Sequence, residues 1–578
     1  ASTAYLDENN GLRKAQQRAI RPYAAAYKGA ESVDGLIREV PLVENGETKY
    51  RIVVSKNAGG EEAAVASMVR TALGSLTGVS FKIQNDTKYR EDDYEIVIGS
   101  TQYIESTVAA DNLKKNQSCV RIVGNKIIIS GFTNTMLQNA VEELENLVKD
   151  YAVKDEDGTR SLVAKVKEEV RMTDRSVLLD IPEFKGGIYS GVYEYGNGNM
   201  QMIYTEAEAE QIDSYVASLT AAGFAVKEES SIGKNRSVTC VGESGLVHIN
   251  YFNYNDSVSI VTDTLEKTAY KDAEPDYEKV TDTTLAVMSL DYSHRDENDG
   301  NGESYVVILE DGRYVNFDGG YNYDAAGLYQ FLLDNNKRTD GKVVIAAWFI
   351  SHAHGDHYGC FRQFAADYKE KVTVENIVAS PGVSTMYSNG YDDYLEKELP
   401  KVASEIYKCK LIRPHTGQTL TFCNVDFQVL YTAEDYALCY GYGTITSENN
   451  ASLVIRMSAN GQTVLFTNDA EKRVSELLCE TYGEALKSDI FQMNHHGVGG
   501  CIKRLCEYAD PEYAIWTTNQ KSFELRIANE IGGVDAHESN VYLFQKLGPQ
   551  KCLVADGATK LITFPLKSEK DITYYSKK

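Results

Sequence analysis

The chain has 578 residues, 43% of them hydrophobic and 25% charged, the balance of a globular protein too long for one hydrophobic core, so roughly two to four domains are expected. Its 59 Lys+Arg against 84 Asp+Glu give a net charge of −25, which repels duplex or long single-stranded nucleic acid, and no Lys/Arg cluster offers a basic groove. A small phosphate ester is not excluded, because bound divalent cations reverse the field inside a site.

No run of about 18 apolar residues occurs, so no segment is expected to span a membrane. The first residue is Ala1 rather than Met, which fits either removal of a leader or a trimmed chain. The ten cysteines form no CxxC pair and no compact framework; they read as free thiols buried in cores and leave the compartment open.

In the first region, residues 1–172, Tyr50–Val54 reads as a strand. A helix with Ala64, Met68, Val69 and Leu73 on one face follows, then strands at Val79–Ile83 and Tyr94–Ile98. Cys119–Val123 and Lys126–Ser130 form a hairpin turning at Gly124-Asn125, and a second helix carries Leu137, Ala140, Val141, Leu144 and Leu147. Alternating strands and helices predict an α/β domain. The stretches 50–69, 94–101 and 120–144 resemble the non-catalytic N-terminal α/β domain found ahead of many bacterial glycoside hydrolases. That resemblance implies an accessory role and a location outside the cell or on its surface, with the cytoplasm as the alternative.

The second region, 173–270, predicts a small α+β domain. Val192–Tyr195 and Met200–Tyr204 form a hairpin around Asn197-Gly198, and Thr205 with Glu208 makes a capping box for a helix ending at Gly223. Strands follow near 224–228, 237–241, 246–252 and 257–262. The region's many tyrosines read first as core and cross-strand pairs, and second as a ligand-lining surface. A polar connector between Glu266 and Thr284 leads on, its centre at 271–284 serving as the linker.

The third region, 285–578, opens with strands Ser304–Leu309 and Tyr314–Asp318 joined across Asp311-Gly312, then a helix faced by Leu328, Phe331 and Leu332. Val343–Ile350 is continuously apolar, as a strand buried on both faces should be. It runs directly into His352-Ala353-His354-Gly355-Asp356-His357. His352 and His354, two apart in an extended segment, can grip one cation from one side. Gly355 is expected to let the chain turn, so that Asp356 and His357 face a second cation. Imidazole with carboxylate suits Zn²⁺, and also Mn²⁺ or Fe²⁺. A solvated His-rich loop would need no metal, but a buried strand leading into three histidines would then strand polar groups.

Residues 351–359 match the HxHxDH signature of the metallo-β-lactamase superfamily, and the segment ending in Asp318-Gly319-Gly320 is similar to that family's opening hairpin. Residues 449–470 are similar to its strand pair leading to an aspartate, here Asp469, and His495-His496 ends another buried strand. The order most resembles ComEC-type (competence protein) metallo-β-lactamase domains and related phosphodiesterases. The resemblance implies an αββα sandwich with two zinc ions: His352 and His354 on the first, Asp356 and His357 on the second, Asp469 bridging, and one of His495 and His496 completing the second. It also implies a bridging hydroxide as nucleophile, with Asp356 as a catalytic residue orienting it. His537, at the position of a C-terminal family histidine, would hold a phosphate or protonate a leaving group; an ordinary histidine near a helix start is the competing reading.

The sequence departs from the family pattern in three places. The usual third histidine of the first site is missing after residues 427–436, leaving water, Glu434, Asp435 or another acid to complete it. Asn468 stands where glycine is common, and asparagine tolerates the left-handed backbone such a turn needs. Val498 replaces the Ser or Thr that often follows His-His-Gly. The leading expectation is hydrolysis of a phosphodiester or related small ester, free or at a cell surface. A β-lactam or lactone hydrolase is the second reading, and a non-enzymatic surface binding protein with a degraded site is the third. A flavin-coupled diiron oxidoreductase is disfavoured, because no flavodoxin-like segment follows.

Overall fold

The computed structural model describes residues 37–576, apart from 57–59, 91, 100, 111–116, 132–136, most of 138–151, 155–157, 159, 168, 173–180, 195–198, 244, 264–275, 295–299 and 442. The chain forms two compact units, one of Ala1–Leu179 with Val192–Gly198, the other of Asp180–Gly191 with Asn199–Lys578.

The first unit is an α/β domain built on a six-stranded sheet in the order Ile83–Asn85, Arg51–Val54, Glu95–Ile98, Lys126–Gly131, Gln117–Val123, Glu169–Met172. Its centre is parallel and the expected hairpin at Gly124-Asn125 supplies the antiparallel flank. The helix Gly60–Thr77 buries Val65, Ala66, Val69 and Leu73, whereas Ala64 and Met68 of the expected face are exposed. The i, i+4, i+8 row of Val65, Val69 and Leu73 carries more apolar volume than a face centred on Ala64, and it wins the core. The strand expected at Val79–Ile83 begins pairing only at Ile83, because the chain leaves the helix through a left-handed Gly78. Leu137, Ala140, Val141 and Leu144 are helical and buried as expected; Leu147 lies outside the described residues.

In the second unit the strand Met200–Thr205 lies in a six-stranded sheet with Ser257–Asp263, Gly245–Phe252, Asn235–Gly242, Ala225–Ile232 and, on its other side, Ile188–Glu194, of which Ile188–Gly191 belongs to this unit. The expected turn at Asn197-Gly198 falls outside the described residues. The helix following this hairpin is Gln211–Ala221, not one capped by Thr205. Thr205 is the last residue of its strand, and the Gln211 side chain reaches back to accept from the Glu208 N–H at 2.9 Å.

Two further sheets face each other. One has nine strands, running Lys410–Ile412, Asn376–Ala379, Val343–Ile350, Tyr314–Asp318, Ser304–Ile308, Thr284–Val287, Thr559–Thr563 and Ile572–Tyr575, with Val372–Val374 also on Val343–Ile350. The other has seven, running Thr419–Phe422, Val425–Tyr431, Val454–Ala459, Gln462–Phe466, Ile490–Gln492, Tyr513–Trp516 and Cys552–Val554. Their inner faces share one apolar core that includes Phe317, Phe349, Phe427 and Phe466. A second core lies between the nine-stranded sheet and the helices Ala325–Asp334 and Gly355–Tyr368. Helices Lys472–Tyr482, Lys503–Ala509 and Val534–Leu547 pack together beside the seven-stranded sheet. These layers make the αββα sandwich that the resemblance implies. Val343–Ile350 is buried at every position, as its unbroken apolar run requires.

The small sheet is knitted to the sandwich by polar bonds: Gln201 Nε2 donates to the Glu434 carbonyl at 3.1 Å, Ser230 Oγ to the Gly417 carbonyl at 2.5 Å, and Gln418 Nε2 to Thr239 Oγ1 at 3.0 Å. Among the described residues no helix is long and apolar enough to cross a membrane. All ten cysteines are free thiols, and eight of them are buried.

Phe317 stacks on Phe349 at 4.5 Å and on Phe466 at 4.8 Å between ring centroids. Phe317→Ala is expected to cost about 3–5 kcal/mol, the usual cost of emptying a buried aromatic site. Both tryptophans of the chain, Trp348 and Trp516, are buried in this sandwich, so the shift is read as a lower urea midpoint by tryptophan fluorescence.

Candidate metal centre

The loops that gather the chemistry leave the carboxyl ends of adjacent strands. His352–His357 follows Val343–Ile350, Asp469 follows Gln462–Phe466, His495-His496 follows Ile490–Gln492, and Asp318 ends Tyr314–Asp318. Four non-glycine residues on these loops hold left-handed backbone: Asp318 (φ 48), Asn468 (φ 48), His495 (φ 47) and His496 (φ 55). Asn468 thus takes the conformation that asparagine was expected to tolerate. Such strain persists only where the surroundings over-determine it, and it collects at functional sites.

The side chains close on Asp469. Its Oδ2 lies 3.2 Å from His357 Nε2, 3.3 Å from His496 Nε2, 3.6 Å from His495 Nε2 and 3.9 Å from His352 Nε2. Asp356 Oδ2 is 3.2 Å from His496 Nε2, and His352 Nε2 faces His354 Nδ1 at 3.1 Å. Two donor groups able to hold a cation result, Asp356–His357–Asp469–His496 and His352–His354–Asp469, with Asp469 in both. A third group, Glu303–Asp318–His357, shares His357 with the first.

The Nε2 atoms of His352, His357 and His496 are each aimed by a bond on the far side of the ring. Asp318 Oδ2 holds His357 Nδ1 at 2.7 Å, Ser351 Oγ lies 3.0 Å from His352 Nδ1, and Thr517 Oγ1 lies 2.8 Å from His496 Nδ1. Asp318 also accepts the Ser351 N–H at 2.8 Å and its hydroxyl at 2.6 Å. Ligating histidines are oriented in this way. What remains is diagnostic: His357 Nε2, His496 Nε2 and Asp469 Oδ1 are buried without a hydrogen-bond partner. Orphaned polar atoms this deep cost free energy unless something fills the space between them, and imidazole with carboxylate fits a divalent cation.

The electrostatics agree. Burial alone would raise the aspartates, yet His357 and His496 hold both Asp356 and Asp469 below the usual carboxylate range. Burial likewise opposes charge on His357 and His496, but Asp469 with Asp356 outweighs it, pushing His357 well up and His496 to about 9. Burial, followed by His357, drives His352 and His354 down, and His495 is lowered chiefly by burial. The two carboxylates and the two imidazoles thus favour each other's charged forms.

The site differs in detail from the sequence reading. Gly355 does not make the turn: His354 (φ −108, ψ 146) is the N-cap and Gly355 is the first residue of the helix. A Cβ there would meet only Tyr321, at 3.8 Å. Entry into a helix, not glycine freedom, swings Asp356 and His357 inward. Of the histidine pair, His496 joins the donor group and is buried, while His495 is 28% exposed at the margin. Glu434 and Asp435 do not replace the missing histidine. Glu434 binds His415 Nδ1 at 2.6 Å and Asp435 accepts from Thr416 Oγ1 at 2.6 Å, beside Asp263 and the stacked ring of His248. His537 stands on the helix Val534–Leu547 with Nδ1 3.1 Å from the Arg526 carbonyl, outside the three donor groups. Arg526 in turn donates to the His496 carbonyl at 2.5 Å.

Glu303 is the residue the sequence reading missed. It is fully buried, its N–H donates to the Asp356 carbonyl at 3.1 Å, and burial pushes its carboxyl up to about 8. The available signal was register: Ser304, next in the chain, pairs with Asp318.

No protein-family profile matches the chain, and no curated protein matches it. Solved structures do. The metallo-β-lactamase fold protein YhfI from Bacillus subtilis is 12% identical over 47% of this chain and 97% of its own, with a TM-score of 0.30. A possible metal-dependent hydrolase from Veillonella parvula is 11% identical over 48% of this chain and 96% of its own, at 0.25. CmlA, a diiron β-hydroxylase from Streptomyces venezuelae, is 10% identical over 49% of this chain and 53% of its own, at 0.28.

Because Asp469 and Asp356 push His496 up to about 9 and His357 well up, a cation competes with protons at both rings, so binding is expected to weaken as pH falls through about 9. Calorimetric zinc titrations in buffers of different ionisation enthalpy should show proton release below that pH. Asp318→Asn should weaken zinc binding about 10- to 100-fold by freeing the His357 ring.

Proposed function

We propose that this protein is a metal-dependent hydrolase of a phosphodiester or related small ester. The observation that carries the reading is the convergence of His352, His357 and His496 Nε2 on Asp469, with buried atoms left unpartnered between them. His352, His354 and Asp469 would hold one cation; Asp356, His357, His496 and Asp469 would hold the other. Zinc suits this mixed set best, with Mn²⁺ or Fe²⁺ as alternatives. Two such cations, when bound, supply Lewis acidity and a water activated near neutral pH.

The chain's own residues do the rest. Asp356, ionised and partly exposed, orients the attacking water. His495, the partly exposed imidazole beside Asp469 that burial keeps neutral, would take a proton from the attacking water and pass it to the leaving oxygen, a role that from the sequence could fall to His537 or to the spare histidine of the 495/496 pair. His537 instead steadies Arg526 and, through it, the His496 backbone. A negative chain with a cationic centre favours a compact anionic ester over a polymer. The resemblance of the first region to secreted accessory domains supports action outside the cell.

The test is hydrolysis of bis(p-nitrophenyl) phosphate beside a β-lactam probe, with metal analysis of the purified chain. Phosphodiester cleavage is expected. Asp469→Asn, which removes a ligand common to both groups, should cost more than the roughly 10- to 100-fold typical of a supporting residue. His495→Ala should lower kcat on the order of 100-fold while metal content stays. Cleavage of the β-lactam alone would move the substrate class to cyclic amides. A chain that takes up no metal would be a binding protein.

A further inference from the structure

Beyond the donor groups, a second chemically competent pair lies just past His495-His496. Of the ten free cysteines, Cys501 and Cys506 bring their sulfurs to 3.4 Å, both fully buried. They flank the start of the helix Lys503–Ala509. Ile502 is its N-cap in extended conformation (φ −116, ψ 146), so Cys501 is the residue before the cap and Cys506 the fourth helical residue. Those are the two positions that pack as a hydrophobic staple. Here thiols occupy both.

We propose that Cys501 and Cys506 are a redox pair, converted by a small-molecule disulfide into an intrachain disulfide that staples the loop after His495-His496 to the helix Lys503–Ala509. One thiolate attacks the small disulfide, breaks its S–S bond and releases one thiolate. The second cysteine then attacks the mixed disulfide, forms the Cys501–Cys506 bond and expels the other. Two electrons pass to the small disulfide, and the two cysteine protons end on the released thiols. The second step needs the sulfurs to close by only about 1.4 Å to reach bonding distance.

The consequence is local. The loop is already tied at its middle, where Ser475 Oγ donates to the Gly500 carbonyl at 2.8 Å and Asn494 Nδ2 donates to Ser475 Oγ at 3.0 Å. Gly500 is required there: at φ 77, an added Cβ would stand 2.2 Å from the Ala470 carbonyl oxygen. A covalent staple would fix the far end and so limit the play of His495-His496. Burial pushes the Cys506 thiol well up, so exchange in the folded chain is slow at neutral pH and quickens as pH rises. Cys479, a buried thiol on the neighbouring helix Lys472–Tyr482, is the rival partner to test.

Lys503 and Arg504 lie between the two cysteines, so trypsin separates them unless the bond joins the fragments. The reduced full chain is incubated with oxidised glutathione at mildly alkaline pH, and in a second arm refolded in the same mixture. Both are alkylated in denaturant and digested. The expected result, in at least the refolding arm, is a linked pair of peptides carrying Cys501 and Cys506, lost on reduction, absent in Cys506→Ser and retained in Cys479→Ser. Recovery of both cysteines as alkylated thiols or glutathione adducts in both arms, or of Cys501 joined to Cys479, would overturn the proposal. The readout is a bond and not turnover, so its failure is separate from any failure of the hydrolase reading.

Discussion

The constraint on which the second unit turns is buried negative charge. Asp318 and Asp469 are almost wholly inaccessible, and Asp356 lies beside them. Carboxylates are not buried without compensation, because desolvation costs several kcal/mol per ion. Asp318 is satisfied by the Ser351 N–H, the Ser351 hydroxyl and the His357 ring. Asp469 has no such set, and one of its oxygens is left without a partner. The protein balances it with imidazoles, and every nearby loop is bent to bring them there. The left-handed conformations at His495 and His496 follow from that demand, as does the strand-to-helix entry at His354.

The sandwich makes this arrangement affordable. Val343–Ile350 runs parallel to Tyr314–Asp318, and Gln462–Phe466, Ile490–Gln492 and Tyr513–Trp516 are mutually parallel. Parallel strands end together, so their carboxyl-end loops cluster at one edge, as ligand-binding loops do in other open α/β sheets. Thr517 belongs to this set: it follows the last of these strands and fixes the His496 ring. The apolar core behind them, with Phe317 stacked between Phe349 and Phe466, is the rigid base.

Much of this was legible in the sequence, for a physical reason. A strand buried on both faces must be continuously apolar, so Val343–Ile350 announced itself, and the polar run straight after it had to be either ligand or defect. The hairpin at Gly124-Asn125 was equally legible, whereas the αββα layers followed from the resemblance to the metallo-β-lactamase superfamily. Glu303 was missed, because only the register of its hairpin, with Ser304 against Asp318, brings it to the site. The choice between His495 and His496 was also hidden, since both have the same backbone preference and only the Thr517 hydroxyl separates them. Thr205 failed as a cap because the strand before it continued through it, a tertiary demand overriding a local signal. Glu434 and Asp435 looked available for the metal site and proved to serve the seam with the small sheet, where His415 and His248 lie.

The exposures within the cluster give it a direction. His352, His357, Asp469 and His496 are buried, whereas His354, Asp356 and His495 are only partly so. The groups proposed to orient water and to hand over a proton are thus on the side open to solvent, and, His354 apart, those that only hold a cation are on the closed side. Polarity of this kind matters for an anionic substrate approaching a chain of net charge −25. That approach ends at two aspartates whose charged forms the inner histidines favour. With cations in place the field at the mouth changes sign, so occupancy of the donor groups would gate substrate binding as well as the chemistry that follows.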